Sequence, residues 1–473
     1  MVDLPELGIG VVYTPSLEPL IEAGQEQIQV LEIEPQPFWF KTRSPENPYC
    51  LNKKIFERIQ QYSQPKIIHS VGLPIGSSLP LEEDFINCLI ESVKKIKPAW
   101  VSEHLSFNRI RNKEREFNTG FLLPPIQTFE AVKIAADNIN YLRDRLDIPF
   151  AFETGVNYLQ PLPGEMTDGN FFAAVAETAD CGILLDLHNL WCNEKNGRSS
   201  VRQVIAELPR DRVWELHLAG GQSWQGYWLD AHSGIVPIPV MQLAAEIIPT
   251  LPNLKAIFFE LSENYLQTKH FPVDLLLEQI QQMQQLWNLR CNQKARISRL
   301  SSSPVFEPHA HVLPSVSEWE EALGCFTAKQ PTNIELTNIK GDRGIEILQY
   351  LVSTMRGGTA VNALKLSSRL LMLSLGKDNF RQLLEKFWQT TPPEMFATEE
   401  AKNLANYLKL SNLNIPYLDE LLNFELAGYQ VLIQGLPQKV KFSCEPMSLL
   451  NALDKNRLPE NIIKQKFEIV LNP

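Results

Sequence analysis

Over the first 290 residues, short apolar runs alternate with longer amphipathic stretches. Eight runs read as strands: 8–13, 28–35, 66–72, 99–106, 149–155, 182–190, 212–220 and 255–263. Each is nearly continuous in apolar residues and ends in polar ones, the pattern of parallel strands covered on both faces. Between them apolar positions recur at helical spacing, as in 79–97, 126–146, 236–251 and 273–289. Eight strands each followed by a helix predict an α/β fold, a (β/α)8 barrel. A doubly wound open sheet is the alternative, but it would want a glycine-rich phosphate loop after an early strand, which this chain lacks.

The alternation breaks at ARISRLSSSPVF (295–306), a polar, serine-bearing stretch that reads as a linker. The expected division is therefore a barrel over 1–294 and a smaller, mainly helical α+β unit over 307–473. Helical patterns there cover 344–355, 362–389, 398–410 and 416–433, and two β-like runs follow at 439–444 and 466–472. A length of 473 residues also exceeds what one compact domain usually takes.

With 44% apolar and 21% charged residues, the chain has the makings of a sizeable core and is not disordered. Its net charge of −11 argues against nucleic acid as the main partner. No apolar run reaches the roughly 18 residues of a membrane span. MVDLPELGIG has neither half of a secretory signal, so a cytoplasmic protein is expected. Seven dispersed cysteines (Cys50, Cys88, Cys181, Cys192, Cys291, Cys325 and Cys444) form no CxxC pair. They read as reduced thiols, neither a disulfide framework nor a thiolate zinc site.

Chemistry concentrates where the strands end, the face on which barrels of this kind carry their sites. His69, His104, His188 and His217 close the third, fourth, sixth and seventh runs, and His232 lies in the loop that follows. Glu153, Asp186, Asp230 and Glu260 join them. Any one of these residues alone would pass for a hydrogen-bonded polar group or a turn former. Five imidazoles and four carboxylates on one rim, with hardly a lysine or arginine among them, call for bound cations. Imidazole and carboxylate without thiolate suit iron, manganese or zinc, and nine ligands are too many for one tetrahedral ion. Two or three metals sharing carboxylates are expected. Asp186 and His188 stand two apart, so on a straight strand they share a face, and Asp230 and His232 repeat the spacing. Glu103 and Glu215 read either as carboxylates orienting a ligand imidazole or as core ion pairs. His309 and His311 have a ligand-like spacing but read as solvated loop residues.

The run HSVGLPIGSS (69–78), then SEHLSF, LLDLHN, ELHLAGG and DAHSGIVP, resembles the multinuclear non-heme iron-dependent oxidative enzymes over about 5–290. That family includes the methanobactin-maturing iron enzyme. The resemblance implies a TIM barrel of the xylose-isomerase-like type, holding two or three irons and using dioxygen. Its substrate would be cysteine residues of a ribosomally made precursor peptide. Carried over by position, the ligands would be His69, His104, Glu153, Asp186, His188, His217, Asp230, His232 and Glu260, with Asp230, His232 and Glu260 nearest the catalysis. The chain departs from the family's pattern at Thr154-Gly155, where Asn-Pro is common, and at His188, where Asn is frequent. It also departs at Glu34-Pro35-Gln36, where the family has a Glu-Asn-Tyr-like sequence.

The segment NIPYLDELLNFELAG (414–428) resembles the partner proteins that accompany these enzymes, which implies a peptide-recognition partner fused in cis. A stabilising helical cap is the other reading. Two rival functions are weighed. One is a two- or three-metal hydrolase or isomerase acting on a phosphodiester or sugar; the other is a metal-dependent adaptor that binds peptide without turnover.

Overall fold

The eight apolar runs form eight strands in the computed structural model, each shorter than its run. They are β1 Gly8–Val12, β2 Val30–Ile33, β3 Lys66–Ser70 and β4 Val101–His104, then β5 Phe150–Glu153, β6 Gly182–Asp186, β7 Val213–Ala219 and β8 Ala256–Glu260. All pair in parallel with their sequence neighbours and β8 closes on β1, a (β/α)8 barrel. The structure describes all residues except 1–3, 43, 45, 47, 114, 263–264, 267–271, 291–312 and 461–462. The expected linker 295–306, with Cys291, His309 and His311, lies outside them.

Strand alternation sorts the side chains into two sets. Ile9, Val11, Leu31, Ile33, Ile68, Phe150, Phe152, Ile257 and Phe259 point outward into the main core. Residues of the other parity, Val30, Ile67, Trp100, Ala151, Ala256 and Phe258, form a separate apolar cluster that fills the barrel's interior. Gly10 makes room for it, since a Cβ there would meet the Phe258 ring at 2.4 Å. One layer higher, Glu32 and Glu215 are wholly buried, and Trp100 Nε1 donates to Glu215 Oε2 at 2.8 Å.

The sixth run departs from its expected extent. Extended structure stops at Asp186, and a helix spans Leu187–Lys195. The cause is local: Asp186 Oδ1 accepts from Asn189 N at 2.7 Å and caps the helix, so His188 sits in a first helical turn. The helical pattern 362–389 likewise divides into Lys365–Leu375 and Lys377–Thr390 at Gly376, whose φ of +80° suits a residue without Cβ. Three hairpins, 39–41 with 49–51, 107–111 with 116–123 and 222–224 with 227–229, rise from loops after β2, β4 and β7. Four of their six strands are only three residues long, too short to stand out as apolar runs.

Helix Val316–Thr327 opens with a capping box at Ser315 and packs on the 107–123 hairpin. Its Trp319 is 2% exposed, and Nε1 donates to Pro124 O at 2.9 Å. The main core runs on through Leu348, while a second core begins at Ala360 and continues to the ladder of 438–442 with 467–471. This C-terminal part touches the loops after four strands. Glu320 meets Ser78, Trp319 meets Pro124, Asp342 Oδ2 accepts from Gln160 N, and Tyr350 stacks on Trp224 at 3.9 Å. No helix among the described residues is long and apolar enough to cross a membrane. Six described cysteines are free.

Glu320 makes this contact pH-dependent. Burial lifts its carboxyl to about 7, against the pull of the hydrogen bonds from Ser78. Because the folded chain keeps the proton that the unfolded chain releases near 4.5, stability falls as pH rises through that window and levels off above 7. The fall should amount to at most about 3 kcal/mol. Glu320→Gln keeps the shape and does not titrate, so its Tm relative to the parent should climb between pH 5 and 7; a constant difference would refute this.

Candidate metal centre

Strand register builds the site. At the C-terminal ends of the barrel, His104 stands opposite Glu153, Asp186 opposite His217, and Ala219 opposite Glu260. With His69 on β3 and His232 in the loop after β7, seven of the nine expected residues converge. Their donor atoms fall into three linked groups, each within 4.8 Å: His69, His104 and Glu153; Glu153, Asp186 and His217; Asp186, His232 and Glu260. Glu153 and Asp186 belong to two groups each, as bridging carboxylates would. A fourth group joins His217 and Glu260 to Glu32.

Second ring nitrogens are engaged from behind, which sets which nitrogen faces the group. His69 Nδ1 meets Ser102 Oγ at 2.9 Å, turning Nε2 toward Glu153 at 3.2 Å. His217 does the reverse. Its Nε2 meets Glu32 Oε2 at 2.9 Å and Glu215 Oε1 at 3.4 Å, leaving Nδ1 toward Glu260 at 3.1 Å. Carboxylates behind an imidazole raise its basicity as a ligand. Asn189 Nδ2 donates to Glu153 Oε1 at 3.2 Å, while Asp186 spends one oxygen on its helix cap and keeps Oδ2 for the group.

His188 and Asp230 stand apart from these groups. His188 Nδ1 is 3.0 Å from Asp230 Oδ1, and its Nε2 accepts from Trp228 Nε1 at 3.1 Å, so neither nitrogen is free. Asp230 Oδ1 also lies 3.2 Å from His232 Nε2, so this pair steadies His232. His232, with its side chain 34% exposed, is the most open of the set. Glu103 accepts from the backbones of Leu73 and His104, bracing both loops.

The donor set fits bound cations. Glu32 Oε1, His104 Nδ1, Glu153 Oε2, Asp186 Oδ2, Asn189 Oδ1, His217 Nδ1 and Glu260 Oε2 are all buried without a hydrogen-bond partner. Several nevertheless lie close, as Glu153 Oε2 does at 2.8 Å from His104 Nε2, because the atoms face a common point more than one another. Lone orphans are rare in folded proteins, and four on residues of the linked groups, Glu153 Oε2, Asp186 Oδ2, His217 Nδ1 and Glu260 Oε2, point to an ion. Charge tells the same story. Burial opposes charge on His104, His217 and His232, yet the facing carboxylates hold all three well above their ordinary range. Burial raises Asp186 strongly, helped by Glu260, Glu153 and Asp230, while His217 and His232 draw Glu260 down to about 2 against its burial.

Two participants escaped the sequence reading of the site. Glu32 holds His217 from below. Glu34 has its carboxyl raised by burial, and its charged neighbours are His69, Glu260, His104 and His232. The signal was there: Glu32 and Glu34 alternate with Leu31 and Ile33, which puts Glu32 on the inward face of β2 and Glu34 just past its end in the same alternation.

Comparison with known proteins gives a match over residues 8–287 to the family described as RiPP precursor modification enzyme MbnB/TglH/ChrH, where RiPP denotes a ribosomally synthesised and post-translationally modified peptide. A UPF0276 protein of Anaeromyxobacter sp. (strain Fw109-5) is 32% identical over 221 residues, 46% of this chain and 76% of that protein. One of Chromobacterium violaceum is 31% identical over 226 residues, 46% and 78% of the two chains. Among solved structures, a D-allulose 3-epimerase from Methylomonas sp. overlaps 60% of this chain and 100% of its own at 13% identity, with a TM-score of 0.40.

Proposed function

This chain belongs to the family of RiPP precursor modification enzymes MbnB/TglH/ChrH, and from that premise we propose that it is an iron- and dioxygen-dependent oxidase of cysteine residues in a precursor peptide. The observation that carries this reading is the meeting of partnerless buried atoms of Glu153, Asp186, His217 and Glu260 at one barrel mouth, with Glu153 and Asp186 shared between groups. Such sharing fits two or three metals. Imidazole and carboxylate ligands admit iron, and the choice of iron over zinc or manganese rests on the resemblance of the motifs.

His69, His104, Glu153, Asp186, His217, His232 and Glu260 would hold the metals, with Glu34 at the edge of the group. Bound iron supplies one-electron chemistry with dioxygen and a Lewis-acidic seat for a thiolate. The protein's own groups prepare that seat. Ser102 and Glu32 fix which ring nitrogen His69 and His217 present. Asp230, backed by His188, orients His232 at the open side, where an entering cysteine arrives. There Asp230, outside the ligand groups, holds His232 in place, and Glu260 flanks it. Trp228 and His188 close the wall behind.

The C-terminal unit fits a role in holding the precursor, because it rests on loops at the metal-bearing face, after β3, β4, β5 and β7. The test is anaerobic purification and metal analysis, then incubation with a cysteine-bearing precursor, ferrous iron, oxygen and reductant. Oxygen uptake and a changed peptide mass are expected. Tightly held zinc with an unchanged peptide would overturn the proposal.

A further inference from the structure

A cavity of about 270 Å³ lies where loops of the barrel meet residues 394–396 of the C-terminal unit. Its apolar walls are Tyr49, Phe85, Phe117, Met395 and Phe396, from four separate stretches of chain. The rings support one another, with Tyr49 5.6 Å from Phe85 and 5.3 Å from Phe396. An apolar protein cavity of about 150 Å³ admits benzene, so this one has room for a phenyl or indole ring.

One polar group in the wall lacks a partner. Asn108 is 4% exposed; its Nδ2 reaches Gly72 O at 3.4 Å, and its Oδ1 accepts nothing. A buried acceptor left unmade is costly, and a ligand N–H would satisfy it. The charges at the rim are largely paired: Arg109 binds Glu82 and Glu116, and Glu394 accepts from Asn403. Lys41 and Asn118 complete a lining that is polar on one side and aromatic on the other, so the cavity suits an aromatic ring that carries an adjacent N–H donor.

The wall is held in place in advance. Buried Arg356 donates to Thr391 O at 3.0 Å and Pro392 O at 3.2 Å, and its ion-pair partner Glu400 accepts from Glu394 N at 3.1 Å. Met395 is thereby pressed against the backbone of Gly72, where a Cβ would lie 2.0 Å from its Cε. Gly72 follows His69 by three residues, at most about 11 Å along the chain. Leu73, beside it, is anchored to Glu103 next to His104.

We propose that this seam cavity is a specificity subsite that takes an aromatic side chain of the precursor peptide, with Asn108 Oδ1 accepting an adjacent backbone N–H. It rests on the peptide-modifying function proposed above, and it makes the C-terminal unit part of the substrate's binding wall. A residue anchored there leaves its neighbours in the peptide within a few residues' reach of the metal-bearing rim.

The test uses the full chain with ¹³C-labelled methionine methyls, titrated with N-acetyl-phenylalaninamide and, separately, N-acetyl-alaninamide. The Met395 resonance, identified among eight methionines by its loss in M395L, should shift saturably with the first probe and not with the second. M395W, which crowds the cavity, should raise KM for the precursor at unchanged metal content, and N108L should weaken probe binding at the Met395 methyl at least about fivefold. An unmoved Met395 methyl, or an equal response to both probes, would overturn the subsite. The two proposals fail separately: probe binding without any cysteine oxidation sinks the oxidase, whereas oxidation with KM unaltered in M395W sinks the subsite.

Discussion

Asp186→Asn should leave the barrel folded and strip it of at least one metal, lowering turnover more than about 100-fold, beyond the 10–100-fold typical of losing a residue behind a ligand. Asp186 does two jobs with two oxygens. Oδ1 caps the helix Leu187–Lys195, and Oδ2 faces two of the donor groups. Asparagine keeps an acceptor for the cap and removes the shared charge, so it separates the two roles better than alanine, which would add a cap loss of about 0.5–2 kcal/mol. In the metal-free state the buried Asp186 carboxyl is pushed up strongly by burial and by Glu260, Glu153 and Asp230. Removing it should therefore not lower the Tm of chelator-treated protein. His217→Ala should match the metal loss, and Glu32→Gln, which loosens the hold on His217 Nε2 and removes a charge from the group with Glu260, should weaken metal affinity by about 10–100-fold. Metal analysis after dialysis against graded chelator reads all three. Full stoichiometry in Asp186→Asn would strike that residue from the ligand set.

Trp319→Ala should destabilise the chain by about 3–5 kcal/mol, the usual result of hollowing out a buried indole. The ring is 2% exposed, its N–H is bound to Pro124 O, and it lies between the C-terminal unit and the 107–123 hairpin. Hydrogen exchange should rise in 107–128 and 316–348 together, because those segments share one core, while metal content stays the same. A loss under about 1 kcal/mol, or exchange confined to one side, would show that the two parts hold each other less than the packing implies.

The strands were legible because parallel strands buried on both faces must be apolar throughout, and the residues at their ends stand out against that background. His69, His104, Glu153, His217 and Glu260 all declare themselves in this way. His188 misled because Asp-Leu-His has the spacing of one strand face; nothing in the run announces that Asp186 will cap a helix. Glu32 was hidden inside a run taken as wholly buried, although an acid two places before another acid in a β stretch has to point inward with it. The hairpins carrying Tyr49, Asn108 and Phe117 were not legible, since their order comes from the helices that rest on them. Met395 could not be connected with Gly72 from sequence at all, because more than 300 residues separate them.

Below the clustered acids and imidazoles, Trp100, Phe258 and their neighbours stop the barrel like a cork. Whatever reaches the clustered groups must then enter from the opposite end, where the C-terminal part rests on the loops after β3, β4, β5 and β7.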